Sequence, residues 1–391
     1  MRFPVFLLLY LTMSLTAAPV FDWAASGGGV KADKVRGLNV DREGNVFIAG
    51  ECADEVNFGA ASRKGLGLND VFVAKLDPRG KYLWSKISGG PLIDRAYAVA
   101  TDAQGNSYVT GHFQGASAAF DGHPVVGRGD YDLFVVSYDK DGRFRWVRTA
   151  GGQGYDYGHG VAVDSRGDII VAGAVDGEAT FGDVVVPNVA GAHLFVAKYH
   201  ADGALVWVKV ATGKASGSAH GVVVDGQDNI FIGGLSAGVG AFGAQALSSP
   251  KGTSALVAKL DRDGQVLWLT QHPGEPSCLF HEIACDAQGR VWASGMFKGK
   301  AVVGPDTYAT TNAKDSDALI CHYDTAGKLL WSRAGQGPGV DYGLGVAADG
   351  KGNAYLTGEF SEGFSLGGKS LRSRGSTDVY VAKFDTAGAL V

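Results

Sequence analysis

Apolar and polar positions along this chain group into short runs of five to eight residues, broken by turns rich in Gly, Asp and Asn. One set of runs reads VFIAG, SYVTGHF, DIIVAGAV, NIFIGGL, RVWASGMF and NAYLTGEF. A second set is almost wholly apolar: DVFVAKLD, DLFVVSYD, HLFVAKYH, SALVAKLD, DALICHYD and DVYVAKFD. Val, Phe, Tyr and Trp dominate them, which is strand chemistry, and the intervening glycines suit tight hairpin turns. The second set barely alternates, so both of its faces are expected to be buried. No stretch carries a sustained helical period with caps, so no helix is expected beyond the extreme N-terminus.

The runs repeat. The turn DAQGN at Asp102 recurs as DREGN at Asp41, DSRGD at Asp164, DGQDN at Asp225, DAQGR at Asp286 and DGKGN at Asp349. Trp146 recurs as Trp84, Trp207, Trp268 and Trp331, with an early copy at Trp23, at spacings of 61 to 63 residues. One such period is too small to bury its own core, so the copies must pack side by side as one domain. Four antiparallel strands per copy, with both faces covered by neighbours, describe a blade of a β-propeller. The expected repeats are 30–90, 91–152, 153–213, 214–274, 275–337 and 338–391, the last completed by 19–29. The final copy stops just before its tryptophan, and VFDWAAS at 20–26 looks like the piece that completes it. The expectation is therefore an all-β, six-bladed propeller closed by its N-terminal strand, which pairs with 378–385 and leaves no open edge. The alternative is an incomplete seven-bladed ring.

Composition narrows the class. Sixty glycines are too many for a helical bundle, and 46% apolar residues are enough for a large core. The net charge of −5 includes no basic block, which gives no reason to expect nucleic acid. Residues 1–18 read as a signal peptide: Arg2, an apolar 3–15, then Thr16, Ala17 and Ala18. No membrane span is expected after its removal, and the localisation expected is secreted, periplasmic or cell surface. Cys285 and Cys321 align with core positions and Cys52 with Phe113 and Phe360, while Cys278 falls in a loop. They read as mostly buried, unpaired thiols rather than a disulfide framework.

The pattern D-x-x-GN-x-Y-V-T-G-x-F, then D-x-F-V-A-K-x-D-x-x-G-x-L-x-W, then GG resembles the SBBP-type β-propeller repeat of secreted bacterial proteins. It covers nearly all of 19–391, although Asp228, Arg290 and Val303 depart from it. The resemblance implies a propeller and export. It implies no shared reaction, so no catalytic residue is carried over.

Candidate chemistry sits where the repeat varies. Five positions before each turn aspartate stand Arg36, Tyr97, His159, His220, His281 and Leu344, at the mouth of the expected channel. The first five are the candidate ligand-binding residues. His159, His220 and His281 are the candidate ligands of a transition metal. Eight positions before the turn stand Asp33, Asp94, Asp156 and Asp341, either calcium ligands or Asx bonds to loop backbone. Asp70, Asp132, Asp317 and Asp378 open the apolar strands and read as turn chemistry. The irregular QHPGEPSCLF at 271–280 and the extra Trp292 are either a site edge or drift. With no nucleophile–base motif and no cofactor signature, the expected function is a secreted, non-enzymatic scaffold binding a protein or carbohydrate through its variable loops. The alternatives are a metal-dependent hydrolase or lyase using the channel histidines, and a structural module of a larger surface protein.

Overall fold

The computed structural model describes residues 22–187 and 191–391, and every regular element in them is a β-strand. The first unit is the antiparallel sheet Lys34–Val40, Val46–Cys52, Asp70–Leu76 and Tyr82–Ser88, in that spatial order. The second is Arg95–Thr101, Ser107–Gln114, Tyr131–Tyr138 and Phe144–Gly151, and the third Tyr157–Val163, Ile169–Asp176, Ala192–Tyr199 and Leu205–Val210. In the fourth, Ser216–Val224, Ile230–Phe242 and Gln245–Leu260 are followed by the long strand Val266–Cys285. That strand continues as the innermost strand of the fifth unit, pairing with Val291–Val303, which leads on to Ser316–Tyr323 and Leu329–Gly335. The sixth has three strands, Tyr342–Ala348, Ala354–Phe360 and Asp378–Phe384. Cys278 thus lies within a strand rather than in the loop expected of it, because the glycine loop found in other copies is replaced by continuous ladder pairing. Among the described residues all four cysteines are free thiols, and only Cys285 is not fully buried.

Innermost strands of successive units pack against one another, so the sheets of the second to fifth units are covered on both faces. Asp70–Leu76 is buried at every position, which explains its lack of alternation. The tryptophans fasten the seams. The indole Nε1–H of Trp84 donates to Lys140 O at 3.3 Å, and Trp146 to Ala201 O at 2.9 Å. Trp268 and Trp331 repeat this onto Thr325 O and Thr386 O at 3.3 and 3.2 Å. Each acceptor belongs to the outer turn of the next unit, whose glycine takes a left-handed φ, as at Gly142 (+78°). A Cβ built on Gly142 would lie 2.8 Å from the Trp84 ring, so the indole rests directly on the glycine.

Trp23 makes the same contact with the first unit, donating to Pro78 O at 3.0 Å and lying over Gly80. The expected pairing of 20–26 with 378–385 is not formed. Residues 20 and 21 lie outside the described residues, and 22–26 carry no strand. Gly27–Gly29 instead pairs with Glu55–Phe58 of the first unit. This is the route taken by the chain after Trp146, where Ala150 and Gly151 pair with Phe181 and Thr180. The chain end meanwhile takes the expected place: Leu390 bridges Phe384, and Val391 N donates to Lys383 O at 2.9 Å.

Both faces of the seam between the sixth and first units are consequently uncovered. Val379 and Val381 are 84% and 74% exposed, whereas Val71, Val73, Leu133 and Val135 at matching positions are at most 1% exposed. Across the gap Leu38 is 64% exposed, against 2% to 8% for Val99, Val161, Val222 and Ile283.

Candidate functional site

A β-bulge recurs in all six innermost strands. The register skips one residue between Val35 and Gly37, Ala96 and Ala98, Gly158 and Gly160, Ala219 and Gly221, Phe280 and Glu282, and Gly343 and Gly345. The skipped residues are Arg36, Tyr97, His159, His220, His281 and Leu344. A bulge residue has no partner opposite it and is re-aimed out of the ladder. The first five therefore line one arc. Arg36 lies over the Tyr97 ring at 5.5 Å. Ring centroids then follow at 5.0 Å from Tyr97 to His159, 5.0 Å from His159 to His220 and 6.2 Å from His220 to His281. His281 continues to Tyr342 at 5.9 Å. Leu344 is left outside the arc, beside the open seam, 45% exposed.

Each imidazole is anchored to the following unit. His220 Nδ1–H donates to Phe280 O at 3.0 Å and His281 Nδ1–H to Gly343 O at 3.2 Å, leaving Nε2 as an acceptor. His159 Nδ1 pairs with Ser218 Oγ at 3.0 Å. Burial, and then the neighbouring imidazole, holds His159 well below the usual histidine range and His220 down at about 4. Burial likewise lowers His281. The three imidazoles are accordingly neutral near pH 7. The three histidines form a staircase of rings rather than a cage: His220 and His281 are stacked with an interplanar angle of 11°. Among the described residues no three His, Cys, Asp or Glu side chains converge as a metal site.

Cation character enters at one end. Glu51, 2% exposed, accepts from Arg36 at 2.7 Å and from Arg95, with Lys34 at 3.9 Å. Burial opposes the charge on Glu51, but the arginines outweigh it and lower its carboxyl. A second aromatic layer backs the arc. His112 sits 4.6 Å from Tyr131, 5.1 Å from Tyr157 and 5.5 Å from Tyr97, and burial pushes it down to about 3.

Arg36, Tyr97, His159 and His220 of the arc open on a space of about 730 Å³ that runs along the inner strands. Small residues follow the bulge in five units: Gly37, Ala98, Gly160, Gly221 and Gly345. The fifth unit has Glu282 there. Its Oε1 accepts from Ile283 N at 3.0 Å, and burial pushes the carboxyl up to about 7. A Cβ on Gly221 would lie 2.7 Å from that oxygen, so the glycine of one unit makes room for the carboxylate of the next. The sequence reading missed Glu282; its departure from a small-residue position was the available signal.

The aspartate sets serve loops. Asp33 Oδ2 accepts from Gly29 N at 2.7 Å, Asp156 Oδ2 from Gly152 N at 2.8 Å, and Asp341 Oδ1 from Ser361 N at 3.1 Å. Asp378 Oδ2 accepts from Arg374 N at 2.8 Å. The irregular 271–280 belongs to ladder strand, and Trp292 is fully buried, stacked on His322 at 4.3 Å, so it is core and not a site edge.

Five four-stranded units and a three-stranded sixth, stacked in series with a bulge at the same register of every inner strand, define an all-β repeat protein of the propeller type. No family model matches the chain. It is similar to an uncharacterized WD repeat-containing protein, L264, of Acanthamoeba polyphaga mimivirus, at 22% identity over 93% of this chain. The match spans 32% of that relative, about a third of its length. Among solved structures, the Pan2 WD40 domain of Neurospora crassa is similar with a TM-score of 0.43 at 11% identity, covering 91% of this chain and 84% of that one. Puromycin hydrolase is similar with the same TM-score of 0.43 at 11% identity, covering 92% and 53%. A Bacteroides caccae protein of unknown function gives 0.40 at 11% identity, covering 84% and 90%. Among the described residues no helix is long and apolar enough to cross a membrane.

Proposed function

We propose that this protein is a secreted, non-enzymatic interaction scaffold whose protein or carbohydrate ligand seats on the arc Arg36–Tyr97–His159–His220–His281 and the loops around it. The observation that carries this reading is the bulge itself. Six strands spend an unpaired residue at one register to present side chains inward, and five of those side chains form a contiguous aromatic and cationic surface. Neutral imidazoles and tyrosines offer flat faces for stacking with unspent hydrogen-bonding atoms, while Arg36 and Arg95 supply charge at one end. We read the ring as having seven places, six of them filled by the described units. Trp23 already lies as the outer tryptophan of a unit preceding the first, and the uncovered Val379 and Leu38 faces border the seventh place.

The test is array binding, against immobilised glycans and peptides, of the wild type and a Tyr97→Ala, His159→Ala, His220→Ala variant. Selective binding lost in the variant, with an unchanged circular dichroism spectrum, is the expected result. Binding retained by the folded variant would show that the ligand sits elsewhere.

A further inference from the structure

Two sets of aspartates that serve separate loops meet across the unit seams. Asp70 opens the third strand of the first unit, and Asp94 precedes the inner strand of the second. Gly89 lies between them: a Cβ built there would collide with both Asp94 Oδ2 and Asp70 Oδ1. At the next seam a Cβ on Gly151 would lie 2.6 Å from Asp132 Oδ1 and 2.7 Å from Asp156 Oδ2. Asp317 and Asp341 hold the same two positions at the third seam, where burial first, and then the charges of Asp317 and Asp315, push the Asp341 carboxyl up. All six carboxylates are at most 2% exposed, and none forms an ion pair among the described residues.

Loop bonds account for only part of this arrangement. Asp94 accepts from Gly90 N at 2.5 Å and Gln114 N at 3.0 Å, and Asp70 Oδ2 from Leu66 N and Gly67 N at 2.8 and 3.2 Å. Asp70 Oδ1, Asp317 Oδ2 and Asp341 Oδ2 are buried with no partner. An orphaned, buried carboxylate oxygen is costly, and two carboxylates sharing one buried seam cannot both stay ionised without a counter-charge. The fold itself does not demand the pairs. The corresponding positions are His193 with Gly217 and Ser254 with Cys278 at the two remaining seams, which close without a carboxylate pair.

We propose that the seams at Asp70–Asp94, Asp132–Asp156 and Asp317–Asp341 are sites for a hard divalent cation of the calcium type, bridged by the two carboxylates and clamping adjacent units together. The donors are oxygen only, which selects a hard cation over zinc or copper. The ligands come from loops of two units, and such a set suits the variable coordination of calcium better than the strict octahedron of magnesium. The inference is independent of the ligand arc.

The experiment is calorimetric melting of the full chain near neutral pH, in EDTA and then in millimolar CaCl2 or MgCl2. An Asp94→Asn, Asp156→Asn, Asp341→Asn variant is melted alongside. Calcium is expected to raise the wild-type Tm by at least about 5 °C, magnesium by less, and the variant should lose the shift. Equilibrium dialysis of the wild type with radioactive calcium is expected to give more than one ion per chain, and it decides the matter even where the variant fails to fold. Identical wild-type melting in EDTA and CaCl2, with a Tm that rises on mild acidification, would mean that the pairs hold only a shared proton and would overturn the proposal. So would a calcium shift that survives in the variant.

Discussion

The contact between each tryptophan and the next unit's glycine gives a quantitative test of what holds neighbouring units together. Gly142 and Gly167 sit in turns of the same construction, each glycine N–H donating to the carbonyl of the turn's first aspartate, at 2.9 and 3.0 Å. Their φ values are +78° and +84°. A Cβ on Gly142 meets the Trp84 ring at 2.8 Å, whereas one on Gly167 meets nothing within 4 Å. Alanine at either position costs the left-handed backbone penalty, roughly 1–2 kcal/mol. Only at Gly142 must it also displace an indole from a packed seam, adding about 1–3 kcal/mol of overpacking. Gly142→Ala should therefore destabilise the chain by roughly 2–5 kcal/mol and Gly167→Ala by about 1–2 kcal/mol. Urea unfolding followed by tryptophan fluorescence reads the difference, and the Gly142 variant should also show a shifted native emission. Equal losses in the two variants would refute the idea that the indole–glycine contact carries the seam.

Two further outcomes are expected. Val135→Lys places a charge on a fully buried face and should prevent folding, whereas Val381→Lys at the matching position, 74% exposed, should leave Tm within about 2 °C; a large loss at Val381 would mean that face is covered in solution. His220 has a folded pKa of about 4 against an unfolded value of 6.5, so the unfolded chain takes up its proton first. The stability His220 contributes above pH 6.5 is thus lost as pH falls through that value toward about 4, and His220→Gln should flatten this acid limb in urea titrations across pH. Asp94, Asp156 and Glu282 act in the opposite sense, losing stability as pH rises toward their raised values of about 6 and 7, which is why wild type minus variant is the quantity to plot.

Most of the architecture was legible because the repeat prints it many times. The turn aspartate accepts from the residues two and four positions on in every copy, as Asp102 does from Gln104 and Asn106, both at 2.9 Å. That local bond needs no tertiary information. The position of the bulge residues could likewise be read off as a constant offset from the turn. Closure could not, because nothing in the repeat pattern says which segment pairs with the last strand, and here Leu390 and Val391 lie against it. The carboxylate pairs were hidden for another reason. Each member makes a convincing loop bond of its own, so nothing local asks for a second aspartate. The constant separation of 24 residues between Asp70 and Asp94, Asp132 and Asp156, and Asp317 and Asp341 was the only trace.

The bulges have a consequence for how such a surface can change over time. A residue skipped by the ladder has no partner opposite it, so its identity is not fixed by strand pairing. Arginine, tyrosine, histidine and leucine occupy the same register here without altering the strands on either side. Five codons thus set the chemistry of the arc without touching the ladders that flank it. The chemistry of the arc can therefore change by single substitutions that leave the strand pairing intact, at a cost set by what each side chain touches, as His220 touches Phe280 O of the next unit.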